Sequence, residues 1–552
     1  MQSVIGPRLV LLFLFLTGGL LKAQIETGPV KLYWVSFTDK GVLATSPAAF
    51  FDSKALERRA AGNIPFDYSD YPVSVSYLNG IENHVTELIG YSKWFNACAI
   101  SATREQIQQI GTFVFVKKIQ EVEINQSLSA VEEICGKETN GPTTGRIFSA
   151  NEKKIIRAQQ ESMGLSAWQK KGIAGKGIRI AVFDAGFPNV DKHPCFEHIR
   201  QGNRIIATRN FLNKSTDVYG RNFHGEAVLS CIAGIQDTTQ LGVGSEAEFL
   251  LAITEYGMRE PFREEVFWLM AAEWADEKGA HIISSSLGYG YQRYFLKDMD
   301  GKTSLVAKAA AKAVSKGILV INSAGNEGTD PWKLIITPAD QDSVLAVGGV
   351  DPRSGYHIDF SSYGPNYLGH VKPNLCAPGD VMAARGMKIG NIQGTSFSCP
   401  LMAGFAACLL QFKPELIGKP IQSMRFLEEH SSLYPYFDYA HGYGVPDVNY
   451  ILEGKRNTGN AALSLKDEGA KKSINIHFEE TSADPYLINE WKHSLYVKFL
   501  DENGKVISYQ LYEVKSDMKE IDVSYQRVEN VFAVEAHYAG VTKKLILNHY
   551  AH

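Results

Sequence analysis

Between residues 178 and 347 short apolar runs alternate with helix-length stretches, and this alternation leaves few folds open to the chain. Residues 178–183, 249–253, 281–283, 318–321 and 344–347 have strand composition. Residues 263–278 place Val266, Phe267, Met270 and Trp274 on one helical face, and residues 304–316 form an alanine-rich helix. Strands alternating with helices pack as right-handed βαβ units, which predicts an α/β fold on a parallel, doubly wound sheet covered on both faces. Reactive groups on such sheets gather where strands end. Asp184 and Asn326 fall just past strands, and Ser396 falls at a helix start.

At 552 residues the chain is too long for one core. Residues 30–37 and 112–116 read as strands and 55–60 as a helix, so the N-terminal part is a small α+β unit. Residues 125–151, rich in Ser, Thr, Glu and Gly, read as an exposed linker. Beyond about residue 456 the pattern turns to strands at 495–500, 506–514, 531–536 and 544–547, which predicts a C-terminal β-sandwich. Asn503-Gly504 between the first two favours a tight primed turn. At the front, Arg8, the apolar block 9–21 and Lys22-Ala23-Gln24 resemble a secretory signal peptide cut after Ala23. That block is too short for a bilayer, and no other stretch approaches the roughly 20 apolar residues a spanning helix needs. The expected layout is a signal peptide at 1–23, an α+β domain with linker at 24–150, the α/β domain at 151–455 and the sandwich at 456–552. The product is then secreted or held at the cell surface, without a transmembrane segment.

A net charge of -4 from 56 basic and 60 acidic residues argues against a nucleic-acid partner. Seven irregularly spaced cysteines make neither a disulfide framework nor a zinc site. Gly175-Lys176-Gly177 precedes its strand, which excludes a dinucleotide site.

In residues 394–404 a serine sits between a glycine turn and a run of small apolar residues. A buried helix starting at Ser396 would aim free N–H groups and its positive dipole end at the hydroxyl, which suits a developing oxyanion. By itself the stretch is equally a capped core helix. Two more segments supply what a serine nucleophile lacks: His224 in Phe223-His224-Gly225-Glu226 as base, and Asp184 in Val182-Phe183-Asp184-Ala185-Gly186 to hold the imidazole.

Together the three segments, in the order Asp, His, Ser, resemble the subtilisin-like serine proteases, or subtilases, over roughly residues 150 to 452. The resemblance implies a subtilisin-like fold and peptide-bond hydrolysis of polypeptide substrates by Asp184, His224 and Ser396. It implies an oxyanion hole from Asn326, in Asn322-Ser323-Ala324-Gly325-Asn326, and the Ser396 amide. Ser286-Leu287-Gly288 would pair with the substrate backbone, and Ala324 and Gly325 would wall the pocket before the cut. No cofactor or catalytic metal is required, and structural calcium stays open. The α+β unit takes the place of a propeptide that inhibits its own enzyme until cleaved, its alternative being a permanent domain. The C-terminal unit weakly resembles sorting domains of bacterial type IX secretion, whose machinery would then be a partner. A carbohydrate- or protein-binding sandwich is the alternative there.

The sequence departs from the family pattern at Glu226, where threonine is usual, and at Val243-Gly244-Ser245. Glu226 either raises the imidazole pKa or faces solvent, and the rarity of buried acids favours the solvated face. Cys399 reads as a small buried helix residue, and Asp298-Met299-Asp300-Gly301 as a turn. The expected activity is that of a secreted serine endopeptidase made as a precursor. The alternative is a catalytically inactive, subtilase-like extracellular binding protein.

Overall fold

The computed structural model describes residues 28–41, 46–122, 148–257, 262–290, 293–454, 462–479, 494–515 and 518–547. The signal-peptide segment and residues 123–147 of the expected linker lie outside the described residues. A seven-stranded sheet forms the centre, in the order Leu375–Pro378, Leu345–Val350, Leu319–Ser323, Ile282–Ser285, Arg179–Asp184, Glu248–Ile253 and Ile205–Asn210. Every neighbouring pair is parallel. Its strands are apolar on both faces because both faces are covered, except for the half-exposed edge strand Ile205–Asn210. The strand order reverses beside Arg179–Asp184, so the crevice at that strand's end is where such a sheet places its chemistry.

On one face lie helices His224–Ala233 and Thr395–Phe412, and on the other Phe262–Glu277 and Leu305–Ser315. Thr395–Phe412 is the one described helix long and apolar enough to cross a membrane, but 89% of it is buried inside the fold. Its apolarity all round is that of a core helix. Gly404 makes this packing tight: a Cβ there would meet the carbonyl of Ile232 at 3.1 Å.

The N-terminal unit is a four-stranded antiparallel sheet, ordered Glu87–Ser92, Ala97–Ala102, Lys31–Phe37, Val116–Glu121. The last strand begins only at Val116, the final residue of the expected 112–116, because Phe113 and Phe115 turn into the unit's own core, Phe115 stacking on Tyr77 at 4.4 Å. The sheet lies on helix Phe262–Glu277. Buried Glu273 accepts bonds from Ser92 Oγ (2.5 Å), Lys93 N–H (3.0 Å) and Trp94 N–H (3.0 Å). Arg58 and Arg59 reach from helix Ser53–Ala61 to the buried carboxylate of Asp276. Residues 150–151, expected to close the linker, instead open helix Ala150–Ser162. The side chains of Ser149 and Glu152 cap it reciprocally.

The C-terminal unit is two antiparallel sheets around one core, three strands against four, the layout of a sandwich. Residues 501–505 are not a two-residue primed turn on Asn503-Gly504, which would need positive φ at Asn503. Gly504 alone has it (φ +79), Asp501 Oδ1 accepts from the N–H groups of Asn503 and Lys505, and the register shifts at Leu500.

Candidate active site

Asp184 closes its strand with a side chain that is fully buried. Its Oδ1 accepts the N–H of Ala185 at 2.8 Å, and both carboxylate oxygens stand 2.9 Å from His224 Nδ1. His224 is the first residue of its helix, 6% exposed, with its N–H donated to Asn222 Oδ1 at 3.0 Å. With the carboxylate on Nδ1, the other ring nitrogen carries the basic lone pair. The imidazole sits 5.6 Å from the ring of Phe397, the residue after Ser396.

Ser396 is the second residue of helix Thr395–Phe412 and half-buried. It is brought out by Gly394, whose φ of +150° suits a residue without Cβ. Its Oγ lies 3.5 Å from the carbonyl of Ser286, and its own carbonyl accepts Ser286 Oγ at 2.7 Å. Asn326 is held by Thr395: its Oδ1 accepts the Thr395 N–H (3.0 Å) and hydroxyl (2.9 Å). The amide Nδ2 is thereby turned away from Thr395, 3.8 Å from where a Cβ of Gly394 would stand. Asn326 is thus tied to the residue that precedes Ser396 at the start of its helix.

Of the other predicted residues, Ser286, Leu287 and Gly288 follow strand Ile282–Ser285, and the Leu287 carbonyl is occupied by Asn322 Nδ2 (2.8 Å). Ala324 is fully buried, and Gly325 adopts φ +112° with no room for a Cβ, which would meet Glu327 Oε2 at 2.3 Å. Burial pushes the Glu327 carboxyl up to about 7. Cys399 is buried against the carbonyls of Ile321 (3.4 Å) and Ser285 (3.5 Å), and burial pushes its thiol up to about 12, which leaves it unreactive. Asp298 and Asp300 spend their carboxylates on backbone N–H groups of Phe295, Lys302 and Thr303, a turn. Gly244 packs against Gly404 beneath the serine helix.

Glu226 corrects the sequence reading. It does not face solvent but is fully buried, where desolvation pushes its carboxyl up to about 8. The helix pattern cannot reveal this, because the surface it would face is covered by segments remote in sequence, at Asn189 and Gly386.

Sequence reasoning also missed Glu255, two residues past strand Glu248–Ile253. Glu255, Asp184 and His224 offer ligand atoms within 4.8 Å of one another, a set that could take a metal ion. Two of the three are already joined by the Asp184–His224 hydrogen bond.

Residues 175–444 match the peptidase S8 subtilase family, and residues 32–138 match a peptidase S8 propeptide domain of Bacteroidota. Serine protease AprX of Bacillus subtilis is 30% identical over 282 residues, 46% of this chain and 61% of the relative. The chain thus spans less than two thirds of that relative's length. Subtilisin Savinase of Lederbergia lenta is 28% identical over 47% of this chain and 87% of its own length, and M-protease of Shouchella clausii 26% identical over 62% and 87%. The crystal structure of the epidermin leader peptide processing serine protease of Staphylococcus aureus superposes with a TM-score of 0.52 at 16% identity. It covers 77% of this chain and 99% of that one, a likeness of fold.

Proposed function

Residues 175–444 are a subtilase-family domain of the subtilisin-like serine proteases, and on that premise we propose that the chain is an exported serine endopeptidase made as a precursor. In this reading Ser396 Oγ attacks a peptide carbonyl, and His224 takes its proton and returns it to the leaving amine. Asp184 fixes the tautomer and steadies the imidazolium, while Asn326 Nδ2 and the Ser396 N–H hold the oxyanion. Ser286 to Gly288 would align the substrate chain, with Ala324 and Gly325 walling the neighbouring pocket. The observation that carries the reading is the buried Asp184 carboxylate bonded through both oxygens to His224 Nδ1 at 2.9 Å. The reaction needs no cofactor.

Residues 32–138 match a propeptide family, and the proposal follows that they inhibit the enzyme until the linker is cut and the unit itself is removed. Export rests on the signal-like residues 1–23. The sandwich as a type IX sorting domain is the weaker part of the reading, because its docking on the catalytic domain favours a retained domain.

Mature protein should hydrolyse casein and label with a fluorophosphonate at Ser396. A protein that does neither favours the inactive binding-protein reading. Ser396→Ala precursor should stay uncut in the linker when expressed alone, whereas normal maturation would mean that another protease processes it.

A further inference from the structure

The proposed chemistry leaves Glu226 without a task, although the side chain is fully buried in the first turn of the histidine helix. Its Oε2 accepts hydrogen bonds from Asn189 Nδ2 (3.2 Å) and the Gly386 N–H (3.1 Å). Asn189 lies on the chain that leaves strand Arg179–Asp184 at the aspartate. Gly386 lies in the turn of the hairpin formed by Asp380–Arg385 and Lys388–Gln393, whose second strand runs straight into Gly394 and Ser396. One carboxyl group therefore ties together the three segments that deliver Asp184, His224 and Ser396. Water cannot replace these bonds at a buried site, so each loss leaves a polar group unpaired.

We propose that Glu226 is a positioning residue: a clasp that holds the histidine helix in register with the aspartate loop and the serine hairpin. The inference rests on the serine-protease reading above. Below pH about 8 the clasp is a neutral acid, because desolvation outweighs the two N–H donors and Lys192, with Asp191 acting in the same sense as burial. Cys195, beyond the aspartate loop, feels the Glu226 charge, and Arg385 of the hairpin lies over the Phe223 ring at 4.6 Å. Glu226 Oε1 has no hydrogen-bond partner among the described residues, so a glutamine amide can occupy its place and mimic the neutral acid.

The test is kcat and KM for peptide hydrolysis by mature wild type, Glu226→Gln and Glu226→Ala, with unfolding midpoints measured alongside. Glu226→Gln, which keeps an oxygen acceptor for both donors, should keep kcat within about twofold. Glu226→Ala should lower kcat about tenfold with KM nearly unchanged, as a small displacement of reacting groups does. An unchanged kcat in Glu226→Ala, or a Glu226→Gln that loses more than about tenfold in kcat while still folded, overturns the clasp and leaves the protease reading intact. If Glu226→Ala does not fold, the glutamine kcat decides alone. A wild type that neither hydrolyses peptides nor labels with fluorophosphonate overturns the protease reading and this inference with it.

Discussion

The carbonyl of Ser396 accepts a hydrogen bond from the hydroxyl of Ser286, 2.7 Å away. Four residues on, where the helical donor should be, stands Pro400, which has no N–H. The serine helix thus carries a proline in its second turn, and a side chain from the neighbouring strand end satisfies the freed carbonyl.

Ser286→Ala should leave that carbonyl unpaired at a cost of about 1–3 kcal/mol, and should slow fluorophosphonate labelling of Ser396. Pro400→Ala restores the helical donor, so the same Ser286→Ala change made in that background should cost at most half as much. A double-mutant cycle read by denaturant unfolding measures the coupling. Equal costs in both backgrounds would mean that the Ser286 bond does not compensate for the proline.

The N-terminal unit should stay bound after the linker is cut. Asp276 is fully buried beneath Arg58 and Arg59, and removing one partner of such a group costs about 2–5 kcal/mol. Nicked Ser396→Ala precursor should therefore elute as one species on gel filtration, and Asp276→Ala should release the N-terminal fragment. Co-elution of the Asp276→Ala fragments at micromolar concentration would show that the apolar contacts around Trp94 and Ile89 suffice.

Stability should peak between about pH 4.5 and 6.5. Burial lowers His193, His198 and His357 to about 4 and His281 to about 3, against 6.5 when unfolded. Their contribution is present above pH 6.5 and is lost as pH falls toward 4, at about 1.4 kcal/mol per pH unit for each. Burial raises Glu226 to about 8, Glu273 and Glu327 to about 7 and Asp340 to about 6. These groups keep protons in the folded state that the unfolded chain has lost, so their contribution falls as pH rises from about 4.5 to 8. The opposing slopes cancel between about 4.5 and 6.5, and the carboxyl slope is alone above that. Thermal midpoints of Ser396→Ala precursor across pH 4 to 8 check this, and a midpoint that climbs from pH 6.5 to 8 would contradict it.

The interior strands of the sheet and its two outer helices were legible because period and apolarity are local. Strand Ile205–Asn210 was not, since a half-exposed edge strand alternates weakly, and Leu375–Pro378 ends in a proline that masks it. That Asp184 ends a strand and Ser396 opens a helix was legible in the local pattern, but the contacts that hold the candidate residues were not. Thr395 holding Asn326, Ser286 replacing the donor of Pro400, and Asn189 and Gly386 enclosing Glu226 are contacts between segments from 37 to 160 residues apart. No periodicity encodes such pairs, which is why an acid in a helical first turn read as a solvated one.

The C-terminal sandwich should be required for a stable catalytic domain. Tyr436 is fully buried against Tyr496 (5.9 Å) and His537 (5.9 Å) of the sandwich. Lys498 of the sandwich is 2% exposed, with its ammonium 3.8 Å from the Phe437 ring and 4.6 Å from that of Tyr436. Behind Tyr496 stands His441, whose Nε2 accepts the His357 N–H (3.0 Å) while His357 Nε2 donates to the Ser361 carbonyl (2.9 Å). Ser362, the next residue, donates its N–H to Gly325 at 3.0 Å, so contiguous contacts link the sandwich to the loop carrying Asn326. Ending the chain after Gly454 would expose Leu433, Tyr436 and Phe437 together, enough apolar surface to cost several kcal/mol at about 25 cal/mol per Å². The truncated chain should show a lower thermal midpoint and a kcat reduced more than its KM is raised. A truncated enzyme with the midpoint and kcat of the full chain would make the sandwich a separable appendage, as a sorting domain requires.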